Sequence, residues 1–220
     1  MELLFWGLAL IVWFLYVARR MVQHLHMMQQ NSYRTERFLR WLAPKKKTYL
    51  LKRDLVLAVF CLILSFFTPS WLLAILTLAG FLLLHLTWKR PPEKKALAFT
   101  ARAKRLYGAS LLLYVLLLVV VEILLISGQA WSAVLLGLSC FFSPYFHVAT
   151  TALMKPVENH INQGYLNDAK RMIQEMPQLI TIGITGSYGK TSSKFILGRI
   201  LSESKHTLVT PDSYNTPMGI

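Results

Sequence analysis

With 55% hydrophobic and only 15% charged residues, a chain of 220 residues is too apolar for an ordinary soluble domain. Its formal net charge is +14. Residues 1–150 hold 17 Lys+Arg against 5 Asp+Glu, and residues 151–220 hold 7 against 5. The basic residues flank apolar runs, which argues against nucleic acid as the partner and for a lipid bilayer with anionic headgroups at its rim.

Leu3 to Val17 is apolar and ends at Arg19-Arg20. No positive region precedes it and no small-residue cleavage site follows, so residues 1–18 read as a first span rather than a signal peptide. Residues 19–53 are polar and basic, with Lys45-Lys46-Lys47 among them. His24, His26, Met27 and Met28 raise the idea of a metal site, but a solvated or interfacial helix is the simpler expectation. Residues 55–88 carry no Asp, Glu, Lys or Arg. A single helix of that length would overrun a ~30 Å hydrocarbon core, so the break at Thr68-Pro69-Ser70 divides it into spans over 53–68 and 70–88.

Pro91-Pro92 ends that hairpin, and a second basic stretch runs to Arg105. A second hairpin follows, with spans over 106–126 and 130–150 separated by Ser127-Gly128-Gln129. Glu122 is a carboxylate within a span, a functional candidate by default, although its place near the helix end lets it reach the headgroups. Pro144 predicts a kink or an early stop in the last span. Cys61 and Cys140 sit in apolar runs without metal or disulfide spacing and read as buried thiols. The expected membrane region is thus 1–154 with about five transmembrane helices. Both long loops are basic and both short connections are not, which puts the N-terminus outside and the chain after residue 150 inside.

Residues 155–177 have apolar positions at helical spacing and read as an amphipathic connector, broken into two short helices near Gly164 and Asn167. Then comes Ile180-Thr-Ile-Gly-Ile-Thr-Gly-Ser-Tyr-Gly-Lys-Thr-Ser-Ser193. The β-branched run before Thr185 predicts a strand and Lys194 to Leu201 a helix. The turn between them has the makings of a phosphate site, with backbone N–H groups and a helix N-terminus aimed at one place. Gly186, Ser187, Tyr188 and Gly189 would form the turn around a polyphosphate, with Thr185 before it and Lys190, Thr191 and Ser192 after it. Lys190 would neutralise the phosphate charge, and the Thr191 hydroxyl would ligate Mg2+. Ile184 stands where the general P-loop pattern has its first glycine, so only a shorter form is met. Thr207 to Thr210 predicts a second strand, and Pro211 to Ile220 a loop.

The short form Thr-Gly-Ser-x-Gly-Lys-Thr-Ser resembles the nucleotide loop of the Mur ligase family. Asn215-Thr216-Pro217-Met218-Gly219-Ile220 is similar to a loop of its D-alanyl-D-alanine-adding, MurF-type branch, with Thr216 where that branch has a second asparagine. Membrane-anchored members of the family are what the sequence most resembles. The resemblance covers about residues 165–220. It implies the start of an incomplete α/β P-loop domain over 178–220, behind a multi-span α-helical membrane region. It implies an ATP- and magnesium-dependent amide ligase of peptidoglycan precursor synthesis in the bacterial cell membrane. Its substrates would be a peptidoglycan precursor and an amino acid or dipeptide, joined through an acyl phosphate with Lys190 as the catalytic cation. Asn215 and Thr216 would line the substrate. These 220 residues by themselves are expected to be inactive. A poly-γ-glutamate or folylpolyglutamate type of ligase, and a non-catalytic nucleotide-binding membrane scaffold, remain as alternatives. A transporter finds no support in paired membrane charges or an inverted repeat.

Overall fold

The computed structural model describes residues 2–45, 50–90 and 96–211. Helices make up 78% of it, and no strand is present among the described residues. It divides into two units, residues 1–155 and 156–220.

The first unit is a helical bundle. Its helices are α1 (Glu2–Gln30), α2 (Thr35–Leu42), α3 (Lys52–Phe67), α4 (Ser70–Thr87), α5 (Ala101–Ile126), α6 (Ala133–Phe141) and the first part of α7 (Ser143–Gln174). Side-chain contacts give their directions. Trp6 meets Ser70 at one end of α1 and Arg19 meets His85 at the other, so α1 and α4 run parallel. Helix α3 carries the chain back between them, its Cys61 facing Thr77 of α4. Helix α5 runs antiparallel to α1, with Tyr107 bonded to the Ala18 carbonyl and the Tyr114 ring 5.9 Å from that of Trp13. Trp13, Tyr16, Val17, Met21, Leu73, Phe81, Tyr114, Val121 and Leu136 fill the core. On the outside of α5, Leu112, Val115, Leu116, Val119, Val120 and Ile123 are exposed, as a helix facing hydrocarbon requires.

Three helices are long and apolar enough to cross a membrane: α1, α4 and α5. The count rises to four if the pair Ala130–Phe141 and Ser143–Gln174, bent by 75°, forms one broken span. This corrects the expected five. Helix α3 has 16 residues and opens on Lys52-Arg53-Asp54, so its length of about 24 Å falls short of the hydrocarbon thickness. The break in the last pair falls at Phe142, just before Pro144. Proline fits the first turn of a helix but not its interior, which is why α6 cannot simply continue into α7.

Residues 20–28 also depart from expectation. Rather than a solvated helix they are an extension of α1 in which Arg20, Met21 and every residue from Gln23 to Met28 are buried. Phe38 and Leu42 of α2 cover Met27 and Met28, while Ala103 and Leu106 cover Leu25. His24 bonds Ser143, and His26 lies against Gln30 and Arg90. No group of three or more metal-type ligands occurs among the described residues. Cys61 and Cys140 are buried free thiols.

In the second unit, the connector is the rest of α7, continuous to Gln174 through Pro156 rather than two short helices. Helix α8 (Lys190–Leu201) follows the glycine turn. Among the described residues the expected α/β P-loop domain is not formed. Ile180 to Ile184 has no regular structure and pairs with no other segment among the described residues, and Ile180 is 80% exposed. Thr207 to Thr210 lies instead along α8. Val209 packs on Gly198, where a Cβ would come within 2.3 Å of Val209 Cγ2, and Lys194 Nζ donates to the Thr210 carbonyl at 2.6 Å. A strand needs a partner strand for its ladder, and among the described residues this one has a helix beside it.

Candidate functional site

Two sets of residues stand out, one expected from the sequence and one not. The expected set is the turn 185–192. Gly189 has φ +73° and ψ −3°, a left-handed conformation that glycine adopts without steric cost. It forms the N-cap of α8, with the Ser193 N–H donating to its carbonyl at 2.8 Å. Lys190, Thr191 and Ser192 therefore occupy the first turn, where backbone N–H groups have no acceptor within the helix. The Lys190 ammonium donates back to the Gly186 carbonyl. Gly186, Ser187 and Tyr188 make the bend, and the Tyr188 ring is 96% exposed. Thr185 lies in the irregular segment before it. The fold thus brings Thr185 to Ser192 together at the start of one helix. Asn215 and Thr216 lie outside the described residues.

The second set sits inside the bundle. Arg20 of α1 forms an ion pair with Asp54 of α3, and both side chains are buried. Tyr16 Oη donates to the other Asp54 oxygen at 2.8 Å, and Arg20 donates to the Cys140 carbonyl at 2.8 Å. The reason for that last bond is in the sequence. In an unbroken helix the Cys140 carbonyl would accept from the N–H of residue 144, but residue 144 is proline and has none. Arg20 supplies the missing donor. Trp13 Nε1 likewise donates to the Leu136 carbonyl at 3.0 Å and Tyr114 Oη to that of Ser139 at 3.2 Å. On the far side of the break His24 Nε2 pairs with Ser143 Oγ at 2.9 Å. Nearby, Ser110 Oγ donates to the Leu106 carbonyl at 2.9 Å, so at its 2.9 Å contact it accepts from His147 Nδ1.

This cluster secures the end of α6 with donors from α1 and α5 and neutralises the buried guanidinium with one carboxylate. Its acceptors are taken up by the bundle's own donors, which makes it a structural joint rather than an open reaction centre. Sequence reasoning passed over Asp54 because it reads as one more polar residue at a loop edge. The available signal was a lone acid in the first turn of an apolar helix, opposite an arginine at the end of another. Glu122, by contrast, is exposed a turn before the end of α5 and takes no part.

No family model matches the chain, and no curated protein or solved structure is similar to it.

Proposed function

We propose that the chain supplies the membrane anchor and the phosphate-binding turn of an ATP-dependent amide ligase acting on peptidoglycan precursors. The observation that carries this reading is the left-handed Gly189 followed at once by Lys190 at the start of α8. Unbonded first-turn N–H groups, the positive end of the helix dipole and the Lys190 ammonium then converge on one spot, as binding of a nucleotide's phosphates requires. Lys190 leaves the Gly186 carbonyl for the β/γ-phosphates, Thr191 ligates magnesium, and Thr185 to Ser192 line the turn. Asn215 and Thr216 are assigned to the substrate. An acceptor carboxylate attacks the γ-phosphate to give an acyl phosphate and ADP, and an incoming amine then displaces phosphate.

The location follows from the same reading. The bundle end that holds the described residues 30–45, 50–52, 88–90 and 96–100 is basic, and its opposite end, with 68–69 and 127–129, has no Lys or Arg. In a bacterial cell membrane the basic end faces the cytoplasm and the N-terminus lies outside. Residues 156–220 then sit on the side that holds ATP.

A second reading has its own observation. Among the described residues of the second unit only Glu158 and Gly198 are buried, so these residues form no core of their own. That favours a scaffold that holds nucleotide without turnover. Titration of the purified chain with Mg-ATP, beside Lys190→Ala, tests both. Binding lost in the variant supports the phosphate turn, and equal binding sinks it. ADP formation by the native protein in its own membranes that depends on precursor and amine favours the ligase, and its absence there favours the scaffold.

A further inference from the structure

At the basic end of the bundle, the polar residues sort into an inward and an outward set. Asp54, in the first turn of α3, faces inward and is taken by Arg20. Their sequence neighbours Arg53 and Arg19 reach instead to the last turn of α4. Arg19 Nη1 donates to the His85 carbonyl at 3.0 Å, and its guanidinium lies 5.3 Å from the centre of the Trp88 ring. Arg53 Nη1 donates to Thr87 Oγ1 at 3.1 Å, and that hydroxyl donates to the Leu83 carbonyl. Lys52 and Lys89 flank them and are exposed. Among the described residues no carboxylate lies within ion-pair distance of Arg19, Lys52, Arg53 or Lys89.

Helix α4 is an 18-residue apolar span, so its last turn lies where hydrocarbon gives way to headgroups, and Trp88, buried just past that turn, lies under the Arg19 guanidinium. We propose that Arg19, Lys52, Arg53 and Lys89 form a basic collar around the end of α4 that binds the phosphate headgroups of acidic phospholipids. Three features carry this. The collar is a ring of cations at the depth of the phosphate plane, and the bundle has spent its local carboxylate on Arg20. The two guanidinium groups are already held, each by a bond to α4, so less side-chain freedom is lost when an anion binds. A guanidinium has five N–H donors and the bonds to α4 use few of them, leaving the planar fork available to phosphate oxygens. The opposite end of the bundle has no such collar, so the preference belongs to one leaflet.

The test uses the full chain in phosphatidylcholine mixed micelles titrated with phosphatidylglycerol, read by native mass spectrometry of retained lipid and by the melting temperature. Wild type is expected to retain phosphatidylglycerol over phosphatidylcholine and to melt higher with it. Near a membrane surface each basic residue strengthens binding about fivefold. Arg53→Gln should therefore weaken retention about fivefold and Arg19→Gln/Arg53→Gln about 25-fold, while Arg199→Gln, in the second unit, matches wild type. Should the double variant fail to fold, Arg53→Gln beside the charge-keeping Arg53→Lys decides the matter, since only the first should lose the preference. Equal retention by wild type and Arg53→Gln would overturn the proposal. So would equal retention of the two lipids, or full protection by millimolar inorganic phosphate, which would make this a site for a soluble anion.

Discussion

Arg20 and Asp54 lie 34 residues apart in the chain and meet as a buried ion pair between α1 and α3. The same guanidinium bonds the Cys140 carbonyl that Pro144 leaves without a helical donor. One side chain thus joins two faults in the membrane region, a charge on α3 and a broken helix. Removing Asp54 strands a buried cation. Asp54→Ala is expected to cost about 3–5 kcal/mol, seen as a large fall in melting temperature in detergent. Arg20→Met/Asp54→Leu should recover much of it, because both charges leave together. A single variant that melts like wild type would show that the pair contributes nothing.

Two glycines of the bundle should respond differently to the same substitution. A Cβ on Gly137 would lie 2.6 Å from Ala58 Cβ and 2.8 Å from its Cα, against the backbone of α3. A Cβ on Gly80 would meet Leu57 Cδ1 at 2.4 Å, the far end of a side chain that can turn away. Gly137→Ala is expected to destabilise by about 1–3 kcal/mol, and Gly80→Ala by clearly less. Thermal melts of the two variants side by side check the order.

The phosphate turn depends on the backbone of Gly189 as well as on the charge of Lys190. An L-residue at φ +73° is strained by about 1–2 kcal/mol, so Gly189→Val should weaken Mg-ATP binding with the Lys190 ammonium intact. Lys190→Ala should weaken it while leaving the turn in place. Titration calorimetry on both variants distinguishes loss of shape from loss of charge. If Gly189→Val binds as wild type does, the left-handed turn is not what holds the phosphates.

Gly198 is where residues 207–210 close onto α8. Gly198→Leu has no room beside Val209 and should release that segment, letting trypsin cut more readily after the already exposed Lys205 while α8 stays helical. Faster cleavage after Lys205 in the variant is the expected result, and unchanged cleavage would mean that the packing does not hold the segment.

Several features of this protein follow from local sequence. The alternation of apolar runs and basic stretches marks the apolar parts of α1, α4 and α5, because hydrocarbon excludes charge whatever the neighbouring helices are. Pro144 announces the break at Phe142, since proline lacks the N–H that an unbroken helix needs. Gly189-Lys190-Thr191 announces a turn, because glycine takes up the left-handed cap at no steric cost, although α8 begins at Lys190 rather than at the expected Lys194. Cys61 and Cys140 are buried for the plain reason that their surroundings are apolar. Other features were decided only by tertiary structure. The polar run from Arg20 to Met28 reads as a solvated helix, but α2 and α5 cover it, and burial depends on what packs against a residue as much as on its type. The pairing of Arg20 with Asp54 and the closeness of Gly137 to Ala58 are distances between helices that no periodicity contains. Ile180 to Ile184 and Thr207 to Thr210 have the composition of strands and form none among the described residues. A strand's hydrogen bonds are made with another chain segment, whereas a helix makes its own, so sequence alone can mark a helix but only the assembled structure can grant a sheet.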